Sequence, residues 1–418
     1  MVYIDRHARP LVEQALADTR VVLIEGPRQA GKSTLAREVM RRSEGGIELT
    51  LDNELTRRAA RDDPAGFVAG LSGLTMIDEI QRAPELILAI KEVVDRDPRP
   101  GQFLLTGSTS LHGLRRVRDL LPGRMETVRL WPLAQSEIAG RSGNVVEQML
   151  AAGEPPRITG APVGRDAFVS ALAAGGFPDA RTRASTRRVR WFRDYLAAII
   201  AADIPDVAVL QRTAEIPPLL RLLAAQTGGI ADYRKIARSL SIADKTTKSY
   251  VAVLEQLFLV QTLRAWRPGI GKREIHAPKL HLVDSGLLTF LLEADERRVA
   301  TDDQITGPAL ESFCAMEIVK HASLCPDPPS VFHYRDGREE IDMVLETRGG
   351  SIAAVEVKAS ATIRPGDHRA IGNLRDARSD RFRCGIVLYT GATTVPLGDR
   401  IWAVPISGLW GGAEMPAA

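Results

Sequence analysis

Residues 26–33, Gly26-Pro27-Arg28-Gln29-Ala30-Gly31-Lys32-Ser33, fit the pattern GxxxxGK[ST] in full. The spacing has a chemical reason. Glycines at either end let the backbone curl so that successive amides point at phosphate oxygens. A helix starting near Lys32 adds its positive dipole end at the same place. Lys32 is then in reach of the β- and γ-phosphates of a nucleotide, and Ser33 of a Mg²⁺ ion. The stretch from Gly26 to Thr34 is the expected nucleotide-binding loop, and ATP with Mg²⁺ is the expected cofactor.

Other residues have the chemistry to complete such a site. LTMIDE puts Asp78 and Glu79 at the tip of an apolar strand. Beside a phosphate loop, Asp78 can hold the Mg²⁺ shell and Glu79 can activate the attacking water. An acidic strand end without a role is the alternative. In LLTGS, Thr106 and Ser108 can hydrogen-bond the γ-phosphate or the lytic water, or simply form a turn. Arg124, in LLPGRMETVRL, can stabilise charge on the γ-phosphate from a neighbouring subunit, or be a plain surface arginine.

The elements that must position these groups alternate strand and helix. VVLIEG, IELTLD, LTMIDE and FLLTGS read as strands, with helices over 32–42 and 84–95. That alternation predicts a parallel sheet covered on both faces. The Gly- and Pro-rich stretch 141–165 reads as an insertion or boundary. From 166 to 265 the pattern is helical. DYRKIARSLSIADKTTKSYVAVLEQLFLV reads as helix, turn, helix, with Ile236, Ala237 and Leu240 lining one and Tyr250, Val251 and Leu254 the other. Asp244 is expected to cap the second helix. The apolar strands LVQTLRAW and KLHLVDS complete a winged-helix outline. Lys245, Thr246, Thr247, Lys248 and Ser249 open the second helix and suit phosphate or groove contacts, with Lys245, Thr246 and Lys248 the expected DNA contacts. Protein interaction, or a lid over a nucleotide, is the alternative use of such a module. The run Arg181, Arg183, Arg187, Arg188, Arg190 and Arg193 reads as a solvated face.

From about residue 300, a helix near 308–321 precedes strands at 331–334, 341–346 and 352–358, then a helical stretch near 367–378 and the strand CGIVLYT. Asp342 sits in EEIDMVLE, and Glu356 and Lys358 share one face of AAVEVK by strand alternation. This set resembles the D…ExK core of PD-(D/E)xK nucleases. The resemblance implies a Mg²⁺ site at Asp342 and Glu356, Lys358 positioning water, and Glu311 as the accessory acid. The proline usual before the first aspartate is Ile341 here. A salt-bridged pair of strands is the bland alternative.

GPRQAGKST, MIDEIQRAPEL, LLTGSTS and LPGRMETVRLWPLAQSE resemble the AAA-type ATPases of the AAA_14 class that carry a DUF4143 C-terminal region. The likeness covers nearly the whole chain. It implies an α/β protein with a P-loop AAA-type ATPase domain over 1–165, a helical and winged-helix domain over 166–298, and a restriction-endonuclease-like domain over 299–418. It implies Walker A at Gly26–Ser33, Walker B at Asp78 and Glu79, a sensor hydroxyl at Ser108 and an arginine finger at Arg124.

At 418 residues, with 44% apolar and 26% charged, the chain has the profile of a multidomain globular protein. No apolar run approaches the ~20 residues of a membrane span, so a cytoplasmic protein without a membrane partner is expected. Cys314, Cys325 and Cys384 form no CxxC pair and suggest neither zinc nor disulfides. A net charge of +3 does not by itself imply nucleic acid. The leading expectation is an ATP-hydrolysing homo-oligomer, such as a hexameric ring, acting on duplex or branched DNA by junction migration or fork remodelling. The C-terminal domain is expected to bind DNA, with Arg364, Arg369, Arg375 and Arg378 as phosphate contacts, rather than to cut it efficiently. A nucleotide-gated signalling or toxin–antitoxin-type regulator and an ATP-regulated nuclease are the alternatives.

Overall fold

The computed structural model describes residues 3–43, 46–109, 121–152, 155, 164–207, 212–269, 273, 276–337, 339–410 and 413–414. The run VVLIE is buried at every position and forms β1 (Val21–Glu25). A strand buried on both faces belongs inside a parallel sheet that helices cover. β2 (Gly46–Thr50), β3 (Leu74–Asp78), β4 (Phe103–Gly107) and β5 (Met125–Arg129) join it in the order β2-β3-β4-β1-β5. Every pairing is parallel. α1 (Arg9–Asp18) and α2 (Lys32–Arg42) cover one face through Val12, Ala15, Leu35 and Val39. α3 (Leu86–Arg96) covers the other through Ile87, Ile90 and Val94. The sequence reading places no strand at 125–129. METVR buries only Val128 fully, because β5 is an edge strand and edges tolerate charge.

Beyond the sheet, the stretch read as an insertion contributes to the core. It holds the short strand β6 (Arg141–Ser142), and Val145, Val146 and Met149 are buried. Residues 153–154 and 156–163 of that stretch lie outside the described residues. The helical block follows, with α4 (Pro178–Arg181), α5 (Ser185–Ala198), α6 (Tyr233–Leu240) and α7 (Asp244–Gln256). Asp232 caps α6 through Lys235 N at 2.9 Å. Asp244 does not cap α7. The helix begins at Asp244 itself, Ala243 takes the cap position without a side-chain bond, and the Asp244 carboxylate lies 3.7 Å from Arg234.

β7 (Val260–Ala265) and β8 (Lys279–Leu282) pair antiparallel as a wing. α8 (Asp303–Ser323) then leads into β9 (Ser330–Asp336), β10 (Glu339–Glu346) and β11 (Ile352–Lys358). α9 (Arg369–Ala377), β12 (Phe382–Tyr389), β13 (Val395–Gly398), β14 (Ile401–Pro405) and β15 (Ala413–Glu414) complete the order. The wing is not a separate sheet. β7 pairs parallel with β9, setting Arg264 against Phe332 and Ala265 against His333. Among the described residues one eight-stranded sheet results, in the order β13-β14-β12-β11-β10-β9-β7-β8. One apolar core likewise runs from Phe177 through Ile236 and Leu254 to Met343 and Leu388.

Near the amino terminus, buried Arg6 bonds Glu137 at 3.1 Å and the carbonyls of Ala30 and Trp131 at 2.7 Å each. Burial pushes the Glu137 carboxyl up, but Arg6 and His7 overcome it and hold it below the usual carboxylate range. Breaking such a pair strands a buried charge. We expect Arg6→Ala to lower stability by about 3–5 kcal/mol in chemical denaturation. Arg58→Ala, which removes an exposed pair with Asp62, is expected to leave the midpoint unchanged.

Candidate functional site

The loop after β1 is shaped by what it must avoid. A Cβ on Gly26 would lie 2.0 Å from the Leu130 carbonyl oxygen, so only glycine lets β1 leave the sheet beside β5. Gly31 takes a left-handed φ of 98° immediately before α2, aiming the first free amides of that helix into the loop. Lys32 is 4% exposed and donates to the carbonyls of Gly26 at 3.1 Å and Pro27 at 2.9 Å. These are neutral acceptors that phosphate oxygens can replace. Burial pulls the Lys32 pKa down to about 8 against the opposing pull of Glu79 and Asp78.

β4 stands between β1 and β3, and its tip links their motifs. Asp78 accepts from Ser33 Oγ at 2.7 Å and from the Thr106 hydroxyl. Glu79 follows in a left-handed turn at φ 60°, and its N–H donates to Thr106 Oγ1 at 3.1 Å. Its carboxylate accepts from Ser108 Oγ at 3.1 Å and from the Gln81 amide, which also donates to Ser108 at 2.8 Å. Thr106 thus orients both acids, while Ser108 and Gln81 hold Glu79. Gln81 was not singled out from sequence, though it lies two residues past the acid pair. Ser33 and Asp78 supply one hydroxyl and one carboxylate side by side. That donor set would suit Mg²⁺, which takes hard oxygen ligands.

Above the loop lies a cavity of about 1130 Å³, ample for a nucleotide. Tyr3, Ile4, Leu133, Ile138 and Pro178 give it apolar walls, and Lys32, Ser33, Thr34 and Glu79 lie at its polar end. α4 closes one side with Pro178 and Arg181. Arg181 is therefore not part of a solvated face. It is half buried, and burial lowers its pKa. The signal was Pro178, which starts a separate helical turn ahead of α5. Arg183, Arg187 and Arg190 line a second cleft, of about 830 Å³, together with Arg28 and Gln29 of the loop. Arg28 also bonds Asp203 of the helical block at 3.0 Å.

Arg124 is nowhere near its own loop. Its carbonyl accepts from Val21 N, at the start of β1, whereas the loop leaves the far end of that strand. Five residues of strand separate the two ends by roughly 16 Å. The guanidinium is paired with Asp95 on the same surface, through Oδ2 at 3.1 Å.

The C-terminal set is brought together. Val357 N–H donates to Asp342 Oδ2 at 2.8 Å, and Lys358 bonds Glu356 at 2.7 Å. The ammonium of buried Lys279 lies 2.8 Å from Glu311, 2.8 Å from Glu340 and 2.9 Å from Asp342. Burial opposes that charge, but Asp342 and Glu311 overcome it and hold the Lys279 pKa above the ordinary lysine value. Among the described residues no group of three or more His, Cys, Asp or Glu is placed to hold an ion. The two acids expected to hold Mg²⁺ each have a cationic partner here, Asp342 with Lys279 and Glu356 with Lys358.

On the winged helix, Lys245 and Lys248 are exposed and Thr246 is half-buried. Thr247 is buried and bonds the Ala243 carbonyl, so it faces the core. Arg234, Lys235 and Arg238 of α6 are exposed as well. Arg364 and Arg369 are exposed, while Arg375 is committed to the Asp399 carbonyl at 3.0 Å and Arg378 sits 6.0 Å from the Trp266 ring.

The sheet order, the loop and the acid pair define a P-loop ATPase domain. Residues 18–139 match the family described as an AAA domain. Residues 165–298 match the domain of unknown function DUF8612, and residues 306–409 match DUF4143. Two mycobacterial relatives are "Uncharacterized protein Mb2031c" of Mycobacterium bovis and "Uncharacterized protein Rv2008c" of Mycobacterium tuberculosis. Each is 30% identical over 403 residues, 96% of this chain and 83% of its own. The chain belongs to their family, the AAA-domain ATPases with a DUF4143 region. The solved Walker-type ATPase PABY2304 of Pyrococcus abyssi is similar at 15% identity and a TM-score of 0.44, over 69% of this chain and 96% of that one. Among the described residues no helix is long and apolar enough to cross a membrane.

Lys32→Ala removes the one ammonium seated in the loop, and we expect it to abolish ATP hydrolysis. The pH dependence has a definite sign. Phosphate binding raises the Lys32 pKa above its free value of about 8. Nucleotide binding therefore takes up a proton at alkaline pH, and ATP affinity is expected to fall as pH rises through 8. Calorimetry in buffers of different ionisation enthalpy measures both effects.

Proposed function

We propose that this ATPase is an oligomer that grips duplex or branched DNA and uses hydrolysis to move along it or remodel it, as in junction migration. The observation that carries this reading is the set of exposed cations on α6 and α7, Arg234, Lys235, Arg238, Lys245 and Lys248. Those helices are built on the same core as α4, which closes one side of the nucleotide cavity. A change in the cavity on hydrolysis would therefore be felt at the DNA-facing helices without a flexible joint between them.

In this reading Lys32 neutralises the β- and γ-phosphates, and Ser33 and Asp78 would hold Mg²⁺, which supplies charge neutralisation for the departing phosphate. Glu79 accepts the proton of the attacking water, with Ser108 and Gln81 fixing its carboxylate. Arg124, remote from its own loop and half-buried against Asp95, acts on the nucleotide of an adjacent subunit. DNA contacts of this kind weaken steeply with salt.

A nucleotide-gated regulator is the second reading, and the Arg28–Asp203 pair supports it. γ-Phosphate arriving at the loop competes with Asp203 for Arg28, so the helical block can register occupancy.

The deciding measurement is ATP turnover with no DNA, single-stranded DNA, duplex and four-way junction. Stimulation by duplex or junction, lost in Lys245→Ala/Lys248→Ala, is expected of the motor. Slow turnover indifferent to every DNA favours the regulator. Glu79→Gln is expected to retain ATP binding with turnover lowered at least ~10²-fold. Lys32→Ala and Arg124→Ala proteins, each inactive alone, are expected to regain part of their activity when co-assembled. No recovery in confirmed oligomers removes Arg124 from the site.

A further inference from the structure

The carboxylates of the C-terminal site already hold a cation. Lys279 is the first residue of β8, and its side chain is 1% exposed. An ammonium has three protons to donate, and here three carboxylates accept: Glu311 from α8 at 2.8 Å, and Glu340 and Asp342 from β10 at 2.8 and 2.9 Å. The nitrogen occupies the point at which these acids converge. A Mg²⁺ ion held by Asp342 with Glu311 as accessory acid would have to take those carboxylates from the ammonium. Glu356, the remaining acid, is paired with Lys358 at 2.7 Å.

The approach to the cluster is also narrowed. Gly228 N–H donates to the Leu280 carbonyl at 2.9 Å, which fixes the turn after residue 225 over the wing. A Cβ at Gly228 would stand 3.1 Å from Glu311 Oε2, so this turn packs directly on the acid. What remains is a cleft of about 390 Å³ beside Glu311, flanked by Lys235 and Pro308.

We infer that the Lys279 ammonium is the resident cation of this acidic site, occupying carboxylates that a divalent metal would need in the nuclease arrangement that Asp342, Glu356 and Lys358 resemble. The site is then an ionic latch. It fastens the wing strand β8 to α8 and β10, and the C-terminal domain does not hydrolyse phosphodiesters. This holds whether or not DNA is the partner of the ATPase, because it concerns a different set of residues.

The test uses the full chain without nucleotide and Mn²⁺ as the probe, with free Mn²⁺ followed by electron paramagnetic resonance. Wild type and the Asp342→Asn/Glu356→Gln double variant are expected to bind the same amount of Mn²⁺. A Mn²⁺ ion bound by wild type and lost in the double variant overturns the inference, as does Mg²⁺- or Mn²⁺-dependent cleavage of linear or junction DNA that Asp342→Asn abolishes. Thermal unfolding gives an independent arm. Lys279→Met, close in shape but uncharged, is expected to lower the midpoint by roughly 5–10 °C. Adding Asp342→Asn to it should restore part of the loss, since one stranded carboxylate is removed. An unchanged midpoint in Lys279→Met, or a further fall on adding Asp342→Asn, overturns the latch. If Lys279→Met does not fold, the Mn²⁺ comparison in wild type and the double variant still decides.

Discussion

The segment from Leu130 to Glu137 carries backbone polar groups into the interior, and the rest of the molecule is arranged to answer them. Leu130 N–H goes to the Glu25 carbonyl at 2.7 Å, Leu133 N–H to Gly176 at 2.8 Å and Gln135 N–H to Glu317 at 2.7 Å. Lys320 reaches the Leu133 carbonyl at 3.0 Å, and Arg6 reaches Trp131. A buried amide or carbonyl left without a partner costs about 1–3 kcal/mol. The phosphate loop, the lid turn at Gly176 and helix α8 are therefore held by one seam. Their relative positions follow from backbone accounting more than from surface complementarity.

That seam gives the nucleotide cavity its character. The loop floor is rigid because Gly26 is pressed on Leu130 and Ala30 is held by Arg6. The lid comes from a separate stretch of chain but shares its core with the helix pair and the long sheet. In this geometry the adaptable contacts are polar and partly exposed, such as Arg28 with Asp203. Ion pairs of that kind rearrange at little cost compared with repacking an apolar core.

Much of this was legible in the sequence, and what was not shares a physical reason. The loop could be read because its chemistry is local: eight adjacent residues impose the turn, the amides and the lysine. Strands β1, β3 and β4 could be read because burial on both faces leaves apolar runs. β5 could not, since an edge strand needs only one buried face and METVR shows one buried position. Arg181 looked like its arginine neighbours because no local pattern tells which of them a proline-started turn will aim inward. Lys279 was invisible within KLHL. Its acid partners lie 32 to 63 residues away, and nothing nearby announces a buried cation. Asp244 failed as a cap by a single position, the scale at which helix ends are hardest to place.

The bond between Gln135 and Glu317 spans 182 positions of sequence. On a ribosome adding 5–20 residues each second, the first partner waits roughly 10–40 s for the second. Over that interval the phosphate loop and its sheet have been made, while the helix that answers the seam has not. The amino-terminal domain thus leaves the ribosome with an open flank and a core face still wet. Its closure then waits on translation of the carboxyl-terminal third, so a stall between residue 200 and Glu317 would strand an ATPase fold that has its chemistry but not its closure.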